Sequence, residues 1–117
     1  MTSKELVSPI IKFIDVGSVA DGETKSDSWT ADDDYVIRHI LIKADGEVTT
    51  KSTITMRIDE YVITKDKALC NTFGTTANTA LLLDIPFRKS ATFHYSLVNQ
   101  EGATKNFTIE LILEKAS

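Results

Sequence analysis

The chain contains one cysteine, two prolines, five glycines and two histidines, and each scarcity removes a class of protein. A single thiol, Cys70, cannot form an intrachain disulfide, so stability is expected from packing or assembly, in a reducing compartment. A zinc centre needs three or four Cys or His ligands at close spacing. Cys70, His39 and His94 are too few and too far apart in the chain. The glycines stand singly, so no glycine-rich loop can cradle a phosphate. Positive charge is also thin. The net charge is -4, Arg88-Lys89 is the longest basic run, and aromatic residues are not interleaved with basic ones. A nucleic-acid partner is therefore not expected. Long apolar runs are missing too. "ALLLDIPF" is only strand-length, so no membrane span is expected, and the opening "MTSKELVSPIIKFIDV" lacks the apolar run of a signal peptide.

What is present is β-structure. The chain has 117 residues, 12.9 kDa, 42% hydrophobic and 26% charged, which suits one domain over 1–117 with a real core. Residues 1–9 read as an N-terminal arm. Helical periodicity is not sustained anywhere, and turn signals recur at the spacing of a sandwich or barrel. Strands are expected over 10–16, 23–30, 35–44, 48–58, 61–64, 80–87, 91–98 and 105–114, with one helical turn over 67–72. "TITMRI" alternates cleanly, with Ile54, Met56 and Ile58 facing in. "YVIRHILIKA" is apolar on both faces and reads as central. Pro86 cannot donate to a ladder and marks an edge or a strand end. The stretch "HYSLVNQEGATKNFTIELILEK" reads as a β-hairpin. It turns Phe93, Tyr95 and Leu97, then Phe107, Ile109, Leu111 and Leu113, toward one core. At roughly 1.5–3 kcal/mol each, their burial contributes on the order of 10 kcal/mol before entropy. The fold class expected is all-β: an antiparallel two-sheet sandwich, a single jelly roll of about eight strands, with an immunoglobulin-like sandwich as the alternative.

Chemistry is sparse. Nucleophilic catalysis needs a nucleophile beside a base and an orienting group. Cys70 lies in the apolar "ALCNTFG" and reads as a buried thiol. His94 alternates with Phe93 and Tyr95 and so faces outward, and His39 falls inside the long strand. No catalytic residue, metal site or cofactor is expected. The acidic run Asp32, Asp33, Asp34 is the best candidate for a hard cation, but it lacks the glycine and distal glutamate of an EF-hand loop, and it reads as a solvated connection. Trp29 and Tyr35 flank that run. An aromatic beside carboxylates is a sugar-binding arrangement, so Trp29, Tyr35, Asp32, Asp33 and Asp34 form a candidate glycan site. Against it stands the reading of Trp29 as a core plug. Asn106-Phe107-Thr108 matches a glycosylation sequon without a leader to make use of it.

Three segments, "VGSVADGETKSDSWTADDDYVIRHILIKADG", "STITMRIDEYVI" and "LLLDIPFRKSATFHYSLVNQEGATKNFTIELILE", follow one another in an order that resembles small single-jelly-roll proteins of virus and phage particles. The resemblance runs from Val16 onward. It implies a non-enzymatic structural role, as capsid subunit, minor capsid component or decoration protein, with copies of itself or other virion proteins as partners. The implied location is the virion, with the cytoplasm as the alternative. Cupins share the jelly-roll architecture, but their histidine–glutamate metal pattern is absent here. Assembly contacts are expected from strand edges, from the arm (Thr2, Lys4, Leu6, Val7, Pro9) and from the 65–79 loop (Leu69, Phe73). The competing function is a carbohydrate-binding or adhesion module.

Overall fold

A computed structural model describes residues 10–76 and 80–116. Nine strands run β1 (Ile10–Val19), β2 (Thr24–Thr30), β3 (Tyr35–Ala44), β4 (Thr53–Ile58), β5 (Tyr61–Val62), β6 (Ala68–Leu69), β7 (Ile85–Phe87), β8 (Thr92–Val98) and β9 (Lys105–Lys115), with one 3-10 turn over Cys70–Thr72. All pairings are antiparallel. The first sheet has the order β1-β9-β3-β7, and the second has β2-β8-β4-β5 with β6 also on β4. The two sheets face each other across one apolar core, as a β-sandwich.

Alternation builds that core. Phe107, Ile109, Leu111 and Leu113 of β9 are fully buried, as are Phe93 and Leu97 of β8 and Ile54 and Met56 of β4. Phe87 closes the first sheet from β7. Two bulges change the phase. Between Asp15 and Gly17 the register of β1 slips against β9, and Gly17 supplies a φ of +90°. Val16 and Val19, three residues apart, can then both be buried, because the extra residue rotates the chain. This carries β1 to Val19, beyond the expected end at residue 16. In β3 the slip falls between Ile37 and His39. Ile37 and Ile40 therefore share the inner face, and Leu41 lies on the outer one yet is only 6% exposed. The phase change accounts for Ile37, Ile40 and Ile42 facing in together, while Val36 and Leu41 keep the strand apolar on its outer face as well.

Several expectations need correction. The last two long strands are not a hairpin: β8 belongs to the second sheet and β9 to the first. Their six-residue connection passes over the end of the sandwich. It is held there by the buried Asn99, whose Nδ2 donates to the carbonyls of Val19 (2.7 Å) and Ala103 (2.8 Å). The expected strand 48–58 begins only at Thr53, because the backbone N–H groups of Thr50, Lys51 and Ser52 turn to the Glu101 carboxylate instead of a neighbouring strand. The expected strand 80–87 shortens to Ile85–Phe87. Leu81 and Leu83 bond singly to Phe73 and Arg38, so no ladder forms, and Leu82 is 73% exposed. The strand expected over 61–64 keeps only its first two residues, and the helical turn expected over 67–72 is a two-residue strand followed by a 3-10 turn. Pro86 sits in the edge strand β7, opposite Val36.

One end of the sandwich is cross-tied. Glu101 accepts from the Thr50 hydroxyl (2.8 Å) and the Ser52 hydroxyl (2.6 Å) as well as from the three amides. Gly102 N–H donates to Asp21, and Gly22 N–H to the Asn99 carbonyl. At Glu101 burial opposes ionisation, but the hydrogen bonds from Ser52, Lys51 and Thr50 outweigh it and hold the carboxyl down to about 2.

Candidate functional site

Among the described residues the two sheets have four edges, formed by β1, by β7, by β2 and by β5 with β6, and three of them are blunted. β7 is three residues long and holds Pro86, and β5 has two residues. β2 turns Lys25 and Asp27 toward the sandwich opening, in register with Leu97 and Tyr95. Short length, proline and inward charge all discourage edge pairing. β1 also has an inward charge, Lys12 opposite Leu111, and a bulge at Asp15–Gly17, but it is ten residues long and over its first half the outward side chains are apolar, with Ile11 56% and Phe13 53% exposed.

Register extends this apolar edge into a surface. Ile11 lies opposite Ile112, and Ile112 lies opposite His39 on the next strand. The His39 imidazole meets the Leu81 carbonyl at 3.1 Å. Apolar side chains thus continue from Ile11 on β1 to Ile112 on β9, and the row ends on the polar His39 of β3. Beyond it, Tyr61, Leu81 and Leu82 line a groove of about 620 Å3.

The other sequence candidates separate in space. Thr2, Lys4, Leu6, Val7 and Pro9 lie outside the described residues. Leu69 is 46% exposed, whereas Phe73 is 5% exposed and belongs to the core, so its ring is not presented to a partner as expected. Trp29 is half-buried against the core. Its ring meets Phe87 edge-on at 5.5 Å between centroids and tilts against Tyr35 at 6.3 Å. The Lys12 ammonium sits 5.0 Å from its centroid, a cation–π contact worth about 0.5–1 kcal/mol. Lys12, Asp27, Trp29 and Tyr95 line a crevice of about 210 Å3 where β1 faces β2.

The three consecutive aspartates do not converge. Asp32 accepts from the Tyr35 hydroxyl. Asp33 takes the Asp34 N–H and pairs with Lys115 at 3.1 Å. Asp34 accepts from Lys89 N–H at 2.9 Å. The Asp34 N–H and then Lys115 hold Asp33 below the usual carboxylate range. The hydrogen bond to Asp32, followed by burial, pushes Tyr35 up to about 12. Among the described residues no group of three or more His, Cys, Asp or Glu could hold a metal ion.

The soft groups are also dispersed. His39 lies on the outer face of the first sheet and His94 on that of the second, in register with Ile112 and Arg57 respectively. Cys70 is buried between the sheets. Burial, and then the Glu101 charge, pushes its thiol up to about 12, which keeps it in the unreactive form. The sequence reading missed Ile11, Phe13 and Ile112 as surface groups. Their alternation was legible, but not which of the two faces would be left uncovered.

Fold and surface together define an antiparallel β-sandwich with an apolar edge. No protein-family model, curated protein or solved structure matches the chain. Among the described residues no helix is long and apolar enough to cross a membrane.

Proposed function

We propose that this chain is a non-enzymatic structural subunit that self-assembles, with the topology of a single jelly roll. The strand order supports the topology. In chain order β1, β2, β3 and β4 alternate between the sheets, β7, β8 and β9 do so again, and only the short β5 and β6 stay with β4. Two interleaved Greek keys produce that alternation. An immunoglobulin-like sandwich pairs its last two strands within one sheet, whereas here they part.

The carrying observation is the exposed apolar edge of β1, where Ile11 and Phe13 are continuous with Ile112 on the outer face. Among the described residues no strand pairs with the outer edge of β1, and such an edge with apolar side chains suits strand addition by a second copy. The pattern resemblance to small virus and phage jelly-roll proteins gives the proposal its particular form, a capsid, minor capsid or decoration subunit. Light scattering over a wide concentration range tests it. Oligomers are expected, and they should dissociate in the Ile11→Lys/Phe13→Lys variant at an unchanged unfolding midpoint. Deletion of Met1–Ser8 should weaken them. A full-length chain that stays strictly monomeric at high concentration removes the proposal.

A second reading, a carbohydrate-binding or adhesion module, is favoured by the Trp29 crevice, where an indole, the Tyr95 ring and the Asp27 carboxylate meet. Loss of glycan binding in a folded Trp29→Phe variant would support it, and a glycan array without hits would end it.

A further inference from the structure

The outer face of the second sheet is unlike the rest of the surface. Every outward side chain on β2, β8 and β4 is serine or threonine except Val98, His94 and Arg57. No carboxylate stands among these outward positions, in a chain with 17 acidic residues. Register places Ser28, His94 and Arg57 in one row across the three strands, with strands about 4.8 Å apart. Side chains directly opposed on one face are then within reach of a single small ligand.

The valences in this row are open. Arg38, Lys105 and Lys115 each have a carboxylate within 4 Å. Among the described residues Arg57 has none, and its guanidinium donates only to the Asp59 carbonyl. The hydrogen bonds of the described residues leave the His94 imidazole uncommitted, and with it the hydroxyls of Ser28 and Thr55. Ser26 donates to Ser96 at 3.0 Å, which leaves the Ser96 proton free. These groups surround a crevice of about 380 Å3. Asp27 borders the crevice from the inward side of β2, and one of its oxygens accepts from the Ser28 N–H at 2.8 Å.

We propose that this row is a binding site for an oxyanion carried on a hydroxylated small molecule, of which an acidic saccharide is the model. Arg57 takes the carboxylate or sulfate through the paired N–H groups that suit a planar or tetrahedral anion. The His94 ring supplies a further N–H donor in either neutral tautomer. The serine and threonine hydroxyls pair with the hydroxyls of the ligand. The row adjoins the Trp29 crevice across β2, and Asp27, Ser28 and Tyr95 border both, but Arg57 and His94 belong to the row alone and Trp29 to the crevice alone, so Arg57→Gln reads the failure of one and Trp29→Phe that of the other.

The test uses the two histidines as reporters, since His39 lies on the opposite sheet. Ring-proton NMR resonances are assigned with His94→Gln and followed while sulfate, glucuronate or glucose is added at constant ionic strength. Sulfate and glucuronate are expected to shift His94 saturably, leave His39 unmoved and outdo glucose. Arg57→Gln should weaken binding about tenfold or more, the weight of one charge-assisted hydrogen bond. Its unfolding midpoint should not change, because Arg57 is exposed. Tighter binding of glucuronate than of sulfate supports an acidic saccharide. Sulfate binding as tightly or more tightly reduces the proposal to a bare oxyanion site and overturns its saccharide part. Equal shifts at both histidines, no saturation, or an unaltered response in Arg57→Gln overturns the whole proposal.

Discussion

Replacing Glu101 with glutamine tests whether a single carboxylate holds the cross-tied end of the sandwich. In the folded chain this carboxyl falls from its ordinary 4.5 to about 2, because the donors of residues 50–52 outweigh the cost of burial. Undiminished, such a drop corresponds to about 3 kcal/mol. The side chain is partly exposed, and water screening reduces the expectation to about 1–2 kcal/mol. The sign follows from the depressed pKa. The stabilisation is fully present above about 4.5, where the unfolded chain also holds the charge, and it is lost as pH falls toward about 2. Glutamine keeps one acceptor oxygen but sets an NH2 against N–H donors. Urea unfolding of wild type and Glu101→Gln, followed by Trp29 fluorescence, should differ by about 1–2 kcal/mol at neutral pH, and the gap should narrow steadily between pH 4.5 and 2. A gap that is independent of pH, or absent at neutral pH, would refute the account of the clasp.

Other substitutions probe the packing. Gly74→Ala would place a Cβ 2.6 Å from the Ala80 Cα, whereas Gly102→Ala, at a similar positive φ, meets nothing within 4 Å. The first should cost about 2 kcal/mol or more and the second about 1 kcal/mol in thermal or chemical unfolding, and equal costs would show that the close contact at Gly74 is wrong. Leu111→Ala, in the fully buried row of β9, should cost about 2–5 kcal/mol, while Ile112→Ala on the outer face should cost well under half of that; the reverse order would mean that the phase of β9 is inverted. The Cys70 thiol should ignore a maleimide in the native protein at mildly alkaline pH and react once denaturant is added; rapid native labelling would contradict its burial.

Much of the secondary structure was legible because side-chain alternation is a local property. The inward rows of β4, β8 and β9 follow from a period of two, and Pro86 left an edge or a strand end open at β7, of which the pairing shows the edge. The bulges were not legible: a slip of one residue at Asp15–Gly17 or at Arg38 changes which residues face in without altering their apolar character. The loop at 80–84 misled because "ALLLDIPF" has strand composition, yet only its last three residues find a ladder partner. At the glycan candidate, proximity along the chain suggested that Asp32, Asp33 and Asp34 act together, but side chains in a tight connection diverge, and each found a different donor.

By itself the sequence determined that this protein is a stack of antiparallel strands around a core of phenylalanine, isoleucine and leucine, because alternation and turn residues act over a few positions. Tertiary structure alone decided that "SLVNQEGATKNFTI" crosses between sheets and does not fold back as a hairpin. A six-residue connection serves either geometry, and the choice rests on contacts from distant segments, Val19 with Asn99 and residues 50–52 with Glu101. The same long-range pairing brought Ser28, His94 and Arg57 into one row and left Ile11 and Phe13 uncovered. No local pattern encodes which strands become neighbours.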